Sequence, residues 1–161
     1  LEAMMEAPRG IIRNRAHAQQ IRDFSGLKFG TVTPTDIDAF IEIADQTFIL
    51  MESKFGGSVP PRGQILALER LCDAVFLGGR ESILLLMSHT SREDIDFAAC
   101  PVHAYRYQKK WFPLPGLGVT AFDACEAFIR ATARGLVKPV CTKESIFQAI
   151  TGRHLSSVGA A

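Results

Sequence analysis

The stretch Asp36-Ile37-Asp38-Ala39-Phe40-Ile41-Glu42-Ile43-Ala44-Asp45-Gln46-Thr47-Phe48-Ile49-Leu50-Met51-Glu52-Ser53-Lys54 decides how this chain is read. From Asp36 to Ile43 the residues alternate, with Ile37, Ala39, Ile41 and Ile43 on one face and Asp36, Asp38, Phe40 and Glu42 on the other. A period of two predicts a strand. Ala44-Asp45-Gln46 reads as a turn, and Thr47 to Lys54, rich in β-formers, as the returning strand, ended by Gly56-Gly57. With a three-residue turn Ile43 faces Thr47, Asp38 falls opposite Glu52, and Asp36 opposite Lys54. Directly opposed side chains share a face with Cβ atoms roughly 4.5–5.5 Å apart, so carboxylates and an ammonium meet on one patch. A two-residue turn would shift the register by one and scatter them over both faces.

Working outward, residues 14–25 read as a helix stopped by Gly26, and Lys28 to Val32 as a short first strand before Thr33-Pro34-Thr35. After the hairpin, Pro60-Pro61 opens a helix whose apolar residues Ile65, Leu68, Leu71, Cys72, Val75 and Phe76 recur at three- and four-residue steps; Gly78-Gly79 closes it. Ser82 to Ser88 is a continuous apolar run, as expected of a strand buried on both faces. Ser91 to Asp96 reads as an acidic loop, Val102 to Tyr107 as a strand and Pro113-Leu114-Pro115-Gly116 as a loop. Ala121 to Ala133 reads as a helix with Phe122, Cys125, Phe128 and Ile129 on its stripe, followed by a short helix around Glu144 to Ile150. A helix between the hairpin and the next strand implies an α/β architecture, a mixed sheet flanked by helices.

Composition fits an ordinary globular domain: 161 residues, 47% hydrophobic and 22% charged. The expected organisation is one domain over 1–161, with a core at about 14–110 and a C-terminal helical extension at about 119–151. The longest apolar run, Ile83 to Met87, is too short to span a bilayer, and residues 1–6 do not read as a secretory signal, so a cytoplasmic protein without membrane contact is expected. Cys72, Cys100, Cys125 and Cys141 are widely spaced and read as reduced thiols, mostly in the core. Cys100 and His103 can supply two zinc ligands, but no second pair stands nearby to complete a tetrahedron. Histidines His17, His89 and His103 read as surface or satisfied core residues. Net charge is +1. Its distribution is uneven: residues 9–28 carry Arg9, Arg13, Arg15, Arg22 and Lys28, and residues 103–111 carry Arg106, Lys109 and Lys110 among Tyr105, Tyr107 and Trp111. Basic flanks around an acidic centre suit a polyanion, while an ordinary solvated surface has the same look. The aromatic residues can stack on unpaired bases or cover an edge strand.

Converging carboxylates repel unless something offsets their charge. A hard divalent cation does so, and a neighbouring lysine can orient water and stabilise charge on a phosphoryl group, which is the chemistry of metal-assisted phosphodiester hydrolysis. The competing reading is a solvent-facing hairpin with a cross-strand ion pair.

Thr35-Asp36-Ile37-Asp38-Ala39-Phe40-Ile41, followed by Phe48-Ile49-Leu50-Met51-Glu52-Ser53-Lys54, resembles the signature of the PD-(D/E)XK nuclease superfamily: an Asp on one strand and a Glu-x-Lys ending its apolar partner. The resemblance covers Asp36 to Lys54, and the helix and strand to about Ser88 follow the same core order. It implies a restriction-endonuclease-like αβββαβ core and a Mg²⁺- or Mn²⁺-dependent deoxyribonuclease acting on DNA, branched or bearing ends. It is similar to compact phage and mobile-element nucleases and to junction resolvases, and the latter imply a homodimer. Carried over by position, Asp38 and Glu52 are metal ligands with the Ser53 carbonyl, Lys54 orients or activates water, and Asp36 is the rival acid. Gln64 stands where some members, the RecB-like ones included, carry a site glutamine; those usually have a tyrosine four residues on, where this chain has Leu68. An acid that the family often places on its first helix has only Asp23 or Gln20 to match it. Arg13, Arg15, Arg106, Lys109 and Lys110 are the candidate DNA-backbone contacts. The alternative is a nuclease-like module that binds DNA or protein without cleaving.

Overall fold

A computed structural model describes residues 23–133 together with Ala16 and Gln20. Arg13, Arg15, His17, Cys141, most of the helix expected over 14–25 and the one around 144–150 lie outside the described residues. The chain divides into two compact units, Leu1–Thr35 and Asp36–Ala161.

In the first unit, Ser25–Leu27 forms a single 3-10 turn. The strand expected over 28–32 is reduced to one bridge between Phe29 and Val32, whose amides each reach the other's carbonyl. Gly30, at φ +63°, folds the chain back between them, so the segment turns where its β-formers suggested extension.

The second unit is an α/β domain with a five-stranded mixed sheet flanked by two helices. Strands β1 (Ala39–Ile43), β2 (Thr47–Phe55), β3 (Glu81–His89), β4 (Val102–Tyr107) and β5 (Lys110–Pro113) lie side by side in chain order. β1 and β2 form an antiparallel hairpin; β2 and β3 are parallel, joined by helix α1 (Arg62–Leu77). β4 and β5 continue antiparallel, and helix α2 (Ala121–Thr132) follows. The hairpin turn is the expected three residues, Ala44 to Gln46, and Ile43 pairs with Thr47. Ala44 and Asp45 both adopt positive φ, at 51° and 55°, and Gln46 N–H closes on the Ile43 carbonyl. β1 begins at Ala39 rather than Asp36, so both aspartates precede the strand. β5 was not foreseen; four residues ending in proline carry too short a pattern to read.

Alternation along β2 and β3 builds two cores. Ile49, Met51, Ile83, Leu85 and Met87 face α2, with Tyr105, Ala124 and Phe128. Leu50 and Leu84 face α1, packed on Leu68 and Cys72. Helix α2 is therefore a layer of the main core rather than an appendage. Its first turn is held by a capping box between Thr120 and Asp123, and its last by a hydroxyl contact of 2.9 Å between Thr132 and Thr47. Two stripe assignments need correction. Leu71 is 44% exposed and Phe122 is 41% exposed. The faces actually buried are Gln64-Leu68-Cys72 on α1, and Ala124, Ala127 and Phe128 on α2, where small residues bring the helix close to the sheet. Among the described residues no helix is long and apolar enough to cross a membrane. The three described cysteines are free and buried; burial pushes the thiols of Cys72 and Cys125 up to about 11 and about 12.

Candidate active site

The α1 face of the sheet carries a polar cluster at one end. β2 delivers it: Leu50 packs under α1, and two residues on, Glu52 occupies the same face. The Glu52 side chain is fully buried, yet neither carboxylate oxygen accepts a hydrogen bond of proper geometry. The Lys54 ammonium stands 2.5 Å from Oε1, on the same face. A buried carboxylate normally carries several donors, because the lost hydration must be replaced.

The segment just before β1 closes the cluster. Asp38 Oδ2 accepts the Ser53 backbone N–H at 2.7 Å. Residues of a strand send their own N–H and C=O to the same edge, so the Ser53 carbonyl also faces the side where Asp38 lies, past the last β1 pairing at Ala39–Met51. Asp36 Oδ1 accepts from the Gln64 side-chain amide at 3.0 Å, tying the segment to the first turn of α1. Gln64 is buried, and its stripe position beside Leu68 points it at the sheet.

Electrostatics record the convergence. Burial raises the Glu52 carboxyl above its ordinary range, Lys54 opposes the rise, and the nearby charges of Asp38 and Asp36 add to it. Burial pulls the Lys54 ammonium down, but its contact with Glu52 and the fields of Glu52, Asp38 and Asp36 outweigh this, leaving it above its ordinary value. Asp36, Asp38, Glu52, Ser53, Lys54 and Gln64 are thus brought together. The zinc reading is not supported: the Cys100 thiol is buried among the α2-facing residues and contacts the Asp96 carbonyl, while His103 pairs with Ser88 instead. Among the described residues, no three His, Cys, Asp or Glu side chains are grouped as a ready metal cage. Two carboxylates, a carbonyl and waters remain a donor set that suits Mg²⁺, which keeps much of its hydration and needs one or two carboxylates.

The basic residues of the 103–111 segment are placed elsewhere. Arg106 gives its Nε and Nη2 donors to Asp73 at 2.9 and 2.7 Å, with Glu69 3.7 Å away, and its side chain is only 13% exposed. Lys109 and Lys110 sit on the β4–β5 turn, at the end of the sheet that carries Glu81 and Thr47, opposite the carboxylate end. The aromatic residues cover the sheet: Tyr105 is buried and stacked on Phe112, Tyr107 donates to Glu81, and the Trp111 indole donates to Glu69. The Ser25 hydroxyl, and then its N–H, lower the Asp23 carboxyl, which serves its own turn.

This end also holds a contact between neighbouring strands that sequence pattern does not reveal. Ser88 Oγ and His103 Nε2 are 2.5 Å apart, and Ser88 is the register partner of Lys54. A parallel register set by a sixteen-residue crossover helix leaves no local pattern to find. No family model matches the chain, and no curated protein or solved structure is significantly similar to it.

Proposed function

We propose that this protein is a divalent-cation-dependent deoxyribonuclease that hydrolyses phosphodiester bonds of DNA, branched or at ends. The observation that carries the reading is the Glu52 carboxylate, fully buried, with no hydrogen-bond donor of proper geometry among the described residues and the Lys54 ammonium against it. Burying such a group is costly, and a cation is the partner that oxygen atoms so arranged would offset it with. Asp38, Glu52 and the Ser53 carbonyl would hold Mg²⁺ or Mn²⁺. A divalent cation held there would supply Lewis-acid polarisation of a phosphoryl oxygen and a more acidic water.

The chain's own residues do the rest. Lys54, held protonated by the surrounding carboxylates, donates to the attacking water or to the phosphoryl oxygen on which charge develops. Asp38 is anchored by the Ser53 amide through one oxygen, and the other is the oxygen that would ligate. Gln64 holds Asp36 beside the cluster, where its charge deepens the negative potential that attracts a cation. That the substrate is DNA rests on the resemblance to PD-(D/E)XK nucleases.

Nicking of supercoiled plasmid in Mg²⁺ or Mn²⁺ tests the reading. Glu52→Gln, Asp38→Asn and Lys54→Ala should each lower the rate by about a hundredfold or more, the usual cost of losing a group that meets developing charge; Asp36→Asn should cost less. A wild type as inert as Lys54→Ala would end the enzymatic reading, and DNA binding retained without cleavage would favour a non-catalytic module.

A further inference from the structure

The geometry points to His103, steadied by Ser88, as a residue that grips a phosphate next to the one cleaved; the inference rests on the nuclease reading above.

Four observations lead there. β2 and β3 pair without a break from Thr47–Glu81 to Phe55–His89, so Ser88 stands beside Lys54 on the α1 face. The β3–β4 register shifts at Leu86/Met87: Leu86 pairs with Ala104 but Met87 with Val102, leaving His103 as the extra residue of a bulge. A bulge re-aims a side chain, and this one brings the imidazole to the Ser88 hydroxyl rather than to the apolar face occupied by Val102 and Tyr105. The backbone is fixed as well, since the His103 carbonyl accepts the Leu114 N–H at 2.7 Å.

An exposed histidine held at both backbone and ring has lost freedom that solvent alone would not require. The contact between the Ser88 hydroxyl and Nε2 holds the ring in place whichever of the two atoms donates. Its second ring nitrogen, Nδ1, belongs to an exposed side chain at the carboxylate end of the sheet. Strands lie about 4.8 Å apart, so Ser88 and His103 stand about one and two spacings from Lys54. That offset is too wide for the phosphate held at Glu52 and suits its neighbour along the strand. With a proton on Nδ1, His103 donates to a non-bridging oxygen of that neighbour, and Ser88 is the positioning residue that holds the ring.

Steady-state cleavage of a short DNA substrate in Mg²⁺ by wild type, His103→Ala, His103→Gln and Ser88→Ala decides the matter, with melting temperatures confirming that each variant folds. His103→Ala should raise KM about tenfold with kcat within twofold, as expected for one hydrogen bond to a charged group. His103→Gln, which keeps an N–H donor, should recover most of the loss, and Ser88→Ala should raise KM by a smaller factor. Unchanged KM in His103→Ala with wild-type cleavage intact overturns the His103 role and leaves the nuclease reading standing. A wild type that neither binds nor cleaves the substrate removes both.

Discussion

Glu52 is the residue on which the chemistry and the stability of the fold meet. A carboxyl whose folded-state value lies above its unfolded one makes the native state hold its proton more tightly. Stability then falls as pH rises from the ordinary carboxylate range toward the folded value, and stays lowered above it. Glu52→Gln should therefore be more stable than wild type at pH 7 in the absence of divalent ions, and the advantage should vanish as pH drops below the ordinary carboxylate range. Urea titrations across pH check the sign. A cation that binds only the folded wild type reverses the order: at a hundred times its dissociation constant it adds about 2.7 kcal/mol, and Glu52→Gln should gain none of it. This residue was legible because its partners lie within one hairpin. Arg106 was not: its sequence neighbours are basic and aromatic, and its ion pair comes from Asp73 on a helix whose docking no local pattern reveals.

At the scale of elements, the β1–β2 turn governs the site. Ala44 at φ +51° pays a steric cost that glycine would not. Ala44→Gly should stabilise by up to about 1 kcal/mol with cleavage unchanged. Deleting Gln46 should move β1 by one residue, carry Asp38 away from Ser53 and abolish activity even where the fold survives, as circular dichroism beside a nicking assay would show. The capping box of α2 gives an independent control: Thr120→Ala should cost about 1 kcal/mol and leave the activity per folded molecule intact. The hairpin, α1, β3, β4 and α2 could all be read from periodicity and stop residues. β5 and the Phe29–Val32 turn could not, since four residues are fewer than a pattern needs and one glycine reverses the chain. The exposure of Leu71 and Phe122 is not legible from side-chain bulk, since α2 is seated on the sheet by its alanines.

For the molecule as a whole, the expected mixed sheet between helices is present, and its two faces serve different ends. The α2 face carries the larger apolar core, with polar contacts only toward one end, where Thr47 meets Thr132 and Tyr107 meets Glu81. The α1 face is apolar in its middle, at Leu50 and Leu84, and polar at the end where Glu52, Lys54, Ser88 and His103 stand. Leu84→Ala, at a fully buried position on that face, should lower unfolding free energy by about 2–5 kcal/mol and reduce activity only through loss of folded protein. The pairing of Ser88 with His103 became visible only at this scale, since it depends on a crossover and a bulge together.

The hairpin also has a consequence for how damage would be felt. Both acids and the amine arise within a single short run of chain, so their mutual spacing is settled by the most local contacts in the sheet. Lesions in α2 or β5 should thin the population of working molecules while each survivor turns over at the full rate; loss of the Asp38, Glu52 or Lys54 head group should leave the population whole and its members idle.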